Sequence, residues 1–205
     1  MTHLYLIRHA RSTWNAEGRV QGQANPPLDE AGRRQAQAVA ARLRPESIDA
    51  LYSSPLARAR DTAEAIAALH RLTVQYDDRL MEWHMGEWSG LAGTDIEAWR
   101  AAHPDRNYRV EGPPGGESRS ALMARAAAVF ADILAAHSSD HSKVAVVGHG
   151  GLFSAYMAHT LNLPPESTVS FHSNNTAISR IQIHDGRVAI LALNDDRHLD
   201  SIAVA

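Results

Sequence analysis

Residues 143–151 read KVAVVGHGG, and from Val144 to Val147 no polar side chain interrupts the run. Successive side chains of a strand point to opposite faces, so an unbroken apolar run means that both faces are covered. Strands buried on both sides belong to largely parallel sheets packed between helices. The rest of the chain must then supply more strands of this kind and helices to cover them.

It does. HLYLI, His3 to Ile7, reads as another buried strand, and IDALYSS and LTVQY (Leu72 to Tyr76) as two more. Asp29 predicts the N-cap of the helix EAGRRQAQAVAARLR, whose apolar stripe includes Ala31, Ala38, Val39 and Leu43 and which Pro45 ends. In SPLARARDTAEAIAALH, Ser54 stands as cap and Pro55 at the first helical position. A long helix is expected from about Ser118 to Ala136, and GLFSAYMAHTL forms another. TAISRIQIHDGRVAILAL reads as a hairpin turning at Asp185-Gly186. The expected fold class is α/β: a three-layer α/β/α sandwich with a mostly parallel central sheet and an antiparallel edge strand.

At 205 residues one domain spanning 1–205 is expected. Between about residues 77 and 117 the periodicity breaks up, with three of the four Trp and one short helix candidate, Thr94 to Ala102. A long, weakly periodic stretch of this kind predicts a small lid insertion.

Composition narrows the function classes. A net charge of −3 gives no reason to expect nucleic acid or an acidic membrane as partner. With no cysteine, disulfides, thiolate nucleophiles and cysteine-held zinc are excluded. No basic leader precedes an apolar core, and no apolar run approaches the roughly 20 residues that cross a bilayer, so a cytoplasmic location is expected. The 12 histidines show no HExxH or comparable spacing, so neither a metal nor any other cofactor is expected. His70, His137 and His141 fall near helix ends, where a cation meets the last carbonyls favourably.

Three features fall at the carboxyl edge of the expected sheet, where ligands of such folds bind. Arg8 and His9 end the first strand, Arg58 lies in the first turn after the second, and His149 ends VAVVG. Two guanidiniums and two imidazoles converging there need an anion to neutralise, and planar arginine forks match a phosphate.

LIRHARSTWNAEGRVQGQ, PLDEAGRRQA, SSPLARARDTAEA, LMEWHMGEWSGL, GGES and VVGHGG, in that order, resemble the motifs of the histidine phosphatase superfamily, which includes cofactor-dependent phosphoglycerate mutases. The resemblance covers almost the whole chain. It implies that His9 is a nucleophile forming a phosphohistidine, that Arg8, Arg58 and His149 hold the phosphoryl oxygens, and that Glu82 protonates the leaving oxygen. Glu87 lies nearby, and the family spacing favours Glu82. A substrate-binding set of Asn15, Ser12, Gln21, Gly22 and Gly150 is implied in the same way. The usual RHG followed by Glu and Thr is here Ala10, Arg11 and Ser12: Ala10 is harmless if its backbone keeps a negative φ, and Arg11 either adds charge at the pocket mouth or is solvated.

The chemistry is coherent with those roles. Phosphoryl transfer needs alignment and neutralisation of the equatorial oxygens, and two arginines with a second histidine supply both. Cationic neighbours disfavour protonation of His9 and keep its imidazole able to attack. The expected activity is metal-independent hydrolysis of a small phosphorylated metabolite. A mutase that returns the phosphoryl group to a bound product is the alternative, with a non-catalytic phosphate-binding module behind both. The identity of the substrate stays open, and an exposed strand of the terminal hairpin leaves room for a homodimer.

Overall fold

The computed structural model describes residues 1–138 and 141–200. Six strands form one sheet: β1 (Thr2–Arg8), β2 (Ala50–Ser53), β3 (Val74–Tyr76), β4 (Ser142–Gly148), β5 (Ile178–His184) and β6 (Arg187–Asp195). Their order across the sheet is β3-β2-β4-β1-β5-β6. The first four run parallel, whereas β5 is antiparallel to β1 and β6 to β5. The expected terminal hairpin supplies the antiparallel part of the sheet, with β5 inside it and β6 at its rim. Asp185 and Gly186 both take positive φ, 48° and 73°, as a two-residue hairpin turn requires.

The helices are α1 (Thr13–Ala16), α2 (Glu30–Leu43), α3 (Ala57–His70), α4 (Gly93–Ala102), α5 (Tyr108–Glu111), α6 (Arg119–Ala136) and α7 (Gly150–Thr160). Leu4, Leu6, Val144 and Val146 face a core with Leu122 and Phe130 of α6 and Leu152 and Met157 of α7. Tyr5, Ile7, Ala145 and Val147 face the opposite core, with Val39 and Leu43 of α2 and Ile66 of α3. Alternate residues of one strand thus fill two cores, which is why Leu4 to Ile7 of β1 and Val144 to Val147 of β4 carry apolar or aromatic side chains without a break. Each large side chain fully buried here contributes about 1.5–3 kcal/mol.

Two local expectations shift. Asp29 caps α2 by accepting from Gly32 N–H at 2.6 Å, but the buried stripe is Gly32, Ala36, Val39, Ala40 and Leu43, with Ala31 and Ala38 only half-buried. Helix α3 starts at Ala57 with Leu56 as its N-cap and no side-chain cap, two residues after the expected proline start. Ser54 N–H instead donates to Val147 C=O at 3.0 Å, prolonging the strand ladder and freeing its hydroxyl for another partner.

The sheet register builds the ligand-binding edge. Arg8 lies opposite Gly148 and Ser53 opposite Val147, so β1, β4 and β2 end level with one another. His9, His149 and Ser54 are the next residue in each chain. Over this edge lies the insertion, where Trp88, Ile96 and Tyr108 form a separate apolar cluster with Trp99 and Met85 against it. No helix among the described residues is long and apolar enough to cross a membrane.

Candidate active site

The His9 ring is 2 % exposed, and its Nδ1–H donates to the carbonyl of Ala10 at 2.7 Å. A carbonyl only accepts, so this contact fixes the tautomer and leaves Nε2 with a lone pair. Arg58 Nε lies 3.2 Å from that Nε2 and donates to it. Burial first, then Arg58 and Arg8, hold the His9 pKa well below its ordinary value, so the ring is neutral near pH 7.

Arg58 is fully buried, with Nη1 donating to Ala24 C=O and Nη2 to Gly22 C=O, each at 2.7 Å. Burial lowers its pKa to about 10, which still leaves it charged at neutral pH. Gly22 therefore acts through its carbonyl, and its φ of 52° and a would-be Cβ 2.8 Å from Met85 Cβ exclude a side chain there.

The His149 ring centroid is 5.1 Å from that of His9. Ser54 Oγ accepts from Leu56 N–H at 3.3 Å and lies in hydrogen-bonding distance of His149 Nε2, at 2.8 Å. Nδ1 of His149 is buried and has no partner. Arg8 repeats the situation: Nη1 donates to Ser173 C=O at 2.5 Å while Nε is buried and unpartnered. A buried donor left unmade costs about 1–3 kcal/mol, and an oxyanion in the cleft that Arg8 lines would remove that cost for its Nε, whereas His149 lies fully buried behind the lining.

Glu82 hangs over the same cleft. Its Oε1 accepts from Trp83 N–H at 2.8 Å and Leu152 N–H at 3.0 Å, and its Oε2 from Gly151 N–H at 3.1 Å. Two of these donors open α7, where helix N–H groups have no intrahelical acceptor. A Cβ on Gly151 would sit 2.5 Å from Glu82 Oε1, so glycine is required for the carboxylate to reach the helix end.

Arg8, His9, Asn15, Gln21, Gly22, Arg58 and Glu82 thus share one cavity of about 260 Å³ with Gly151, Trp83 and Met85. Ser12 is not in its wall. It is fully buried and caps α1, its Oγ accepting from Asn15 backbone N–H at 3.1 Å, and it orients two lining amides by donating from Oγ to Gln21 Oε1 at 2.7 Å and from its backbone N–H to Asn15 Oδ1 at 3.2 Å. Gly150 is also set back, a would-be Cβ there lying 3.8 Å from Arg8 Nε, and Gly151 takes its place in the lining. Glu87 is exposed on the lid, away from the cavity. Arg11 turns to Asp29 at 2.7 Å and is half-exposed, and Ala10 does not take positive φ.

Sequence reasoning missed the supports. Asn175 Nδ2 donates to His9 C=O at 2.9 Å, and Thr176 N–H to Arg8 C=O at 3.0 Å. Thr176 holds φ at 60°, an outlier for a β-branched residue, at the point where the chain clasps the end of β1. Arg125 donates to the carbonyls of Arg79, Met81 and Glu82 at 2.8, 2.7 and 3.2 Å and is itself gripped by Glu117. Among the described residues no group of three or more His, Asp or Glu side chains is placed to hold a metal ion.

The family model described as the histidine phosphatase superfamily (branch 1) matches residues 4–196. Phosphoserine phosphatase 1 of Hydrogenobacter thermophilus is 35 % identical over 210 residues, covering 100 % of this chain and 97 % of its own. A probable phosphoglycerate mutase, GpmB, of Proteus mirabilis is 36 % identical over 216 residues, covering 100 % and 98 %. Mycobacterial glucosyl-3-phosphoglycerate phosphatase superposes with a TM-score of 0.82 at 31 % identity, covering 94 % of this chain and 99 % of that one.

Proposed function

The chain belongs to the histidine phosphatase superfamily, and from that premise we propose that it hydrolyses small phosphomonoesters through a phosphohistidine on His9, without a metal ion. The observation that carries the reading is the bonding of the His9 ring: Nδ1 tied to Ala10 C=O, Nε2 unprotonated and directed at the guanidinium of Arg58.

In the first step the Nε2 lone pair attacks phosphorus, the P–O bond to the leaving group breaks, and the leaving oxygen takes a proton from the Glu82 carboxyl. Arg8 and Arg58 neutralise the equatorial oxygens as charge spreads over them, and His149, a neutral ring, offers them a hydrogen bond. In the second step the Glu82 carboxylate takes a proton from water, the water oxygen forms a bond to phosphorus, and the P–N bond breaks to restore neutral His9. Asn15 and Gln21, held by Ser12, offer amide donors to the same phosphate.

Phosphate release from a panel of phosphomonoesters tests this, with EDTA present and His9→Ala alongside. The reading expects release that EDTA leaves intact and that disappears with His9. Similarity to a named mutase keeps phosphoryl transfer between positions of one substrate as the second reading. Conversion of 3-phosphoglycerate to its 2-isomer without phosphate release would move it to the front.

We extend the proposal to a homodimer. Strand β6 is a sheet edge with Val188, Ile190, Leu191 and Leu193 exposed. Antiparallel pairing of two β6 strands about Leu191 would set Arg187 against Asp195 of the second copy and cover these side chains. Sedimentation should show a dimer that Leu191→Lys dissociates, and a monomeric wild type would refute it.

A further inference from the structure

Glu82 sits on backbone that no regular element carries. A 3-10 turn, Asp78–Leu80, precedes it and another, Gly86–Trp88, follows, while residues 81–85 lie in neither helix nor strand. Carbonyls outside any ladder need donors from elsewhere. Here two side chains supply them.

Gln23 Nε2 donates to the carbonyl of Glu82 at 3.0 Å, and Arg125 Nη2 donates to the same oxygen at 3.2 Å. A carbonyl oxygen has two lone pairs, so both are engaged. The two donors come from different parts of the fold. Gln23 lies in the loop whose adjacent carbonyls, Gly22 and Ala24, are held by Arg58. Arg125 lies on α6, and its Nη1 takes the carbonyls of Arg79 and Met81 at 2.8 and 2.7 Å. Glu117 grips Nε and Nη2 of Arg125 with its two carboxylate oxygens, at 2.9 and 2.7 Å. A planar fork can serve a carboxylate and three carbonyls at once, which a lysine ammonium on its single stem cannot.

These contacts also close the neck of the lid insertion. Glu117 N–H donates to His84 C=O at 2.9 Å, and Trp83 Nε1–H donates to Glu117 C=O at 2.6 Å, so its two ends meet beside Arg125. The Glu82 carboxylate is held separately, by the N–H groups of Gly151 and Leu152 on α7. Glu82 is therefore fixed at both ends. A main-chain shift of about 1 Å would carry its carboxyl off the leaving oxygen, a displacement that can cost about 10²-fold in rate.

We propose that Gln23 and Arg125, the latter oriented by Glu117, are positioning residues for the general acid: they fix the main chain of Glu82 so that its carboxyl meets the leaving oxygen of a phosphate bound at His9. Gln23 ties that position to the loop that Arg58 holds, so the acid and the phosphoryl pocket share one frame. The inference rests on the hydrolase reading above, with Glu82 as its acid, and adds the residues that place it.

Two esters test it, ethyl phosphate, whose leaving group needs a proton, and p-nitrophenyl phosphate, whose leaving group does not. The readout is the loss of kcat on the first divided by the loss on the second. General-acid catalysis supplies about 10²–10⁴-fold, so Gln23→Ala should give a ratio of about ten and Arg125→Gln one of about 10–10². Glu117→Gln should give a smaller ratio than Arg125→Gln, and Arg125→Lys should recover only part of the loss. Added to Glu82→Gln, either Gln23→Ala or Arg125→Gln should cost nothing further on ethyl phosphate, because the proton that they place is already gone. A ratio near one in both single variants, or losses that add in full to that of Glu82→Gln, would overturn the proposal. Should Arg125→Gln fail to fold, Gln23→Ala decides on the same two readouts, since Gln23 is only half-buried. A wild type with no His9-dependent phosphate release would instead sink the hydrolase reading itself.

Discussion

Arg58 Nε lies 3.2 Å from His9 Nε2, and the other two guanidinium nitrogens of Arg58 hold the carbonyls of Gly22 and Ala24. One buried arginine therefore aims at the nucleophile and ties down the loop beside it. Arg58→Ala should lower kcat by about 10²–10³ through lost charge stabilisation. It should also destabilise the fold by about 2–4 kcal/mol, because two carbonyls lose their donors. Arg58→Lys, one charge without the fork, should recover little of either. Kinetics and urea unfolding of the two variants check both halves.

Glu82 and Gly151 should fail together. Glu82→Gln removes the proton donor, so turnover of alkyl phosphates, which have poor leaving groups, should drop about 10²–10⁴-fold, and that of p-nitrophenyl phosphate much less. Gly151→Ala should give the same selective loss, since its Cβ would sit 2.5 Å from Glu82 Oε1. Gly150→Ala should not, its nearest contact being Arg8 Nε at 3.8 Å. Equal losses on alkyl and aryl esters in Glu82→Gln would remove Glu82 from the role of acid.

Both buried histidines make stability depend on pH. Burial and the neighbouring arginines depress the folded-state pKa of His9 and of His149 well below the ordinary histidine value of about 6.5. Between that depressed value and 6.5 the unfolded chain binds protons that the folded chain does not. Stability is therefore complete above about pH 6.5 and falls as pH drops below it, by up to about 1.4 kcal/mol per pH unit per histidine. Urea unfolding from pH 8 to 5 checks the slope, and His149→Asn should reduce it. The acid limb of kcat/KM should likewise lie below 6.5, where His9 begins to protonate.

Ala10 stands where the family usually has glycine, and it fills a buried cluster with Leu28 and Ala36. Its φ is not positive, so glycine's freedom is not needed. Ala10→Gly should destabilise by about 1 kcal/mol through the entropy of the unfolded chain and the lost methyl contacts, with no gain in turnover. Thermal unfolding alongside steady-state kinetics decides it.

The sheet was legible because its signals are local: an unbroken apolar run at Val144–Val147, and Asp185-Gly186 for the hairpin. Arg8, His9 and His149 were legible because each sits at a strand end, and Arg58 because it falls in the first turn of the helix that follows β2. What could not be read is what partners across long stretches of chain. Arg125 reaches back more than forty residues to brace Glu82, and Asn175 holds His9 from the far side of the sequence. Ser54 misled for a physical reason: Ser-Pro is a favourable helix start, but a ladder bond to Val147 and a hydroxyl contact with His149 outweigh it. Ser12 and Gly150 lie behind the cavity lining, which spacing along the chain does not reveal.

The most direct test is to quench the enzyme with base during turnover of p-nitrophenyl phosphate and locate the phosphoryl group by mass spectrometry. The account predicts phosphate on His9, absent from His9→Ala, stable to base and lost in acid. Rapid turnover with no phosphorylated His9 at any quench time, or with the label on another residue, would contradict it.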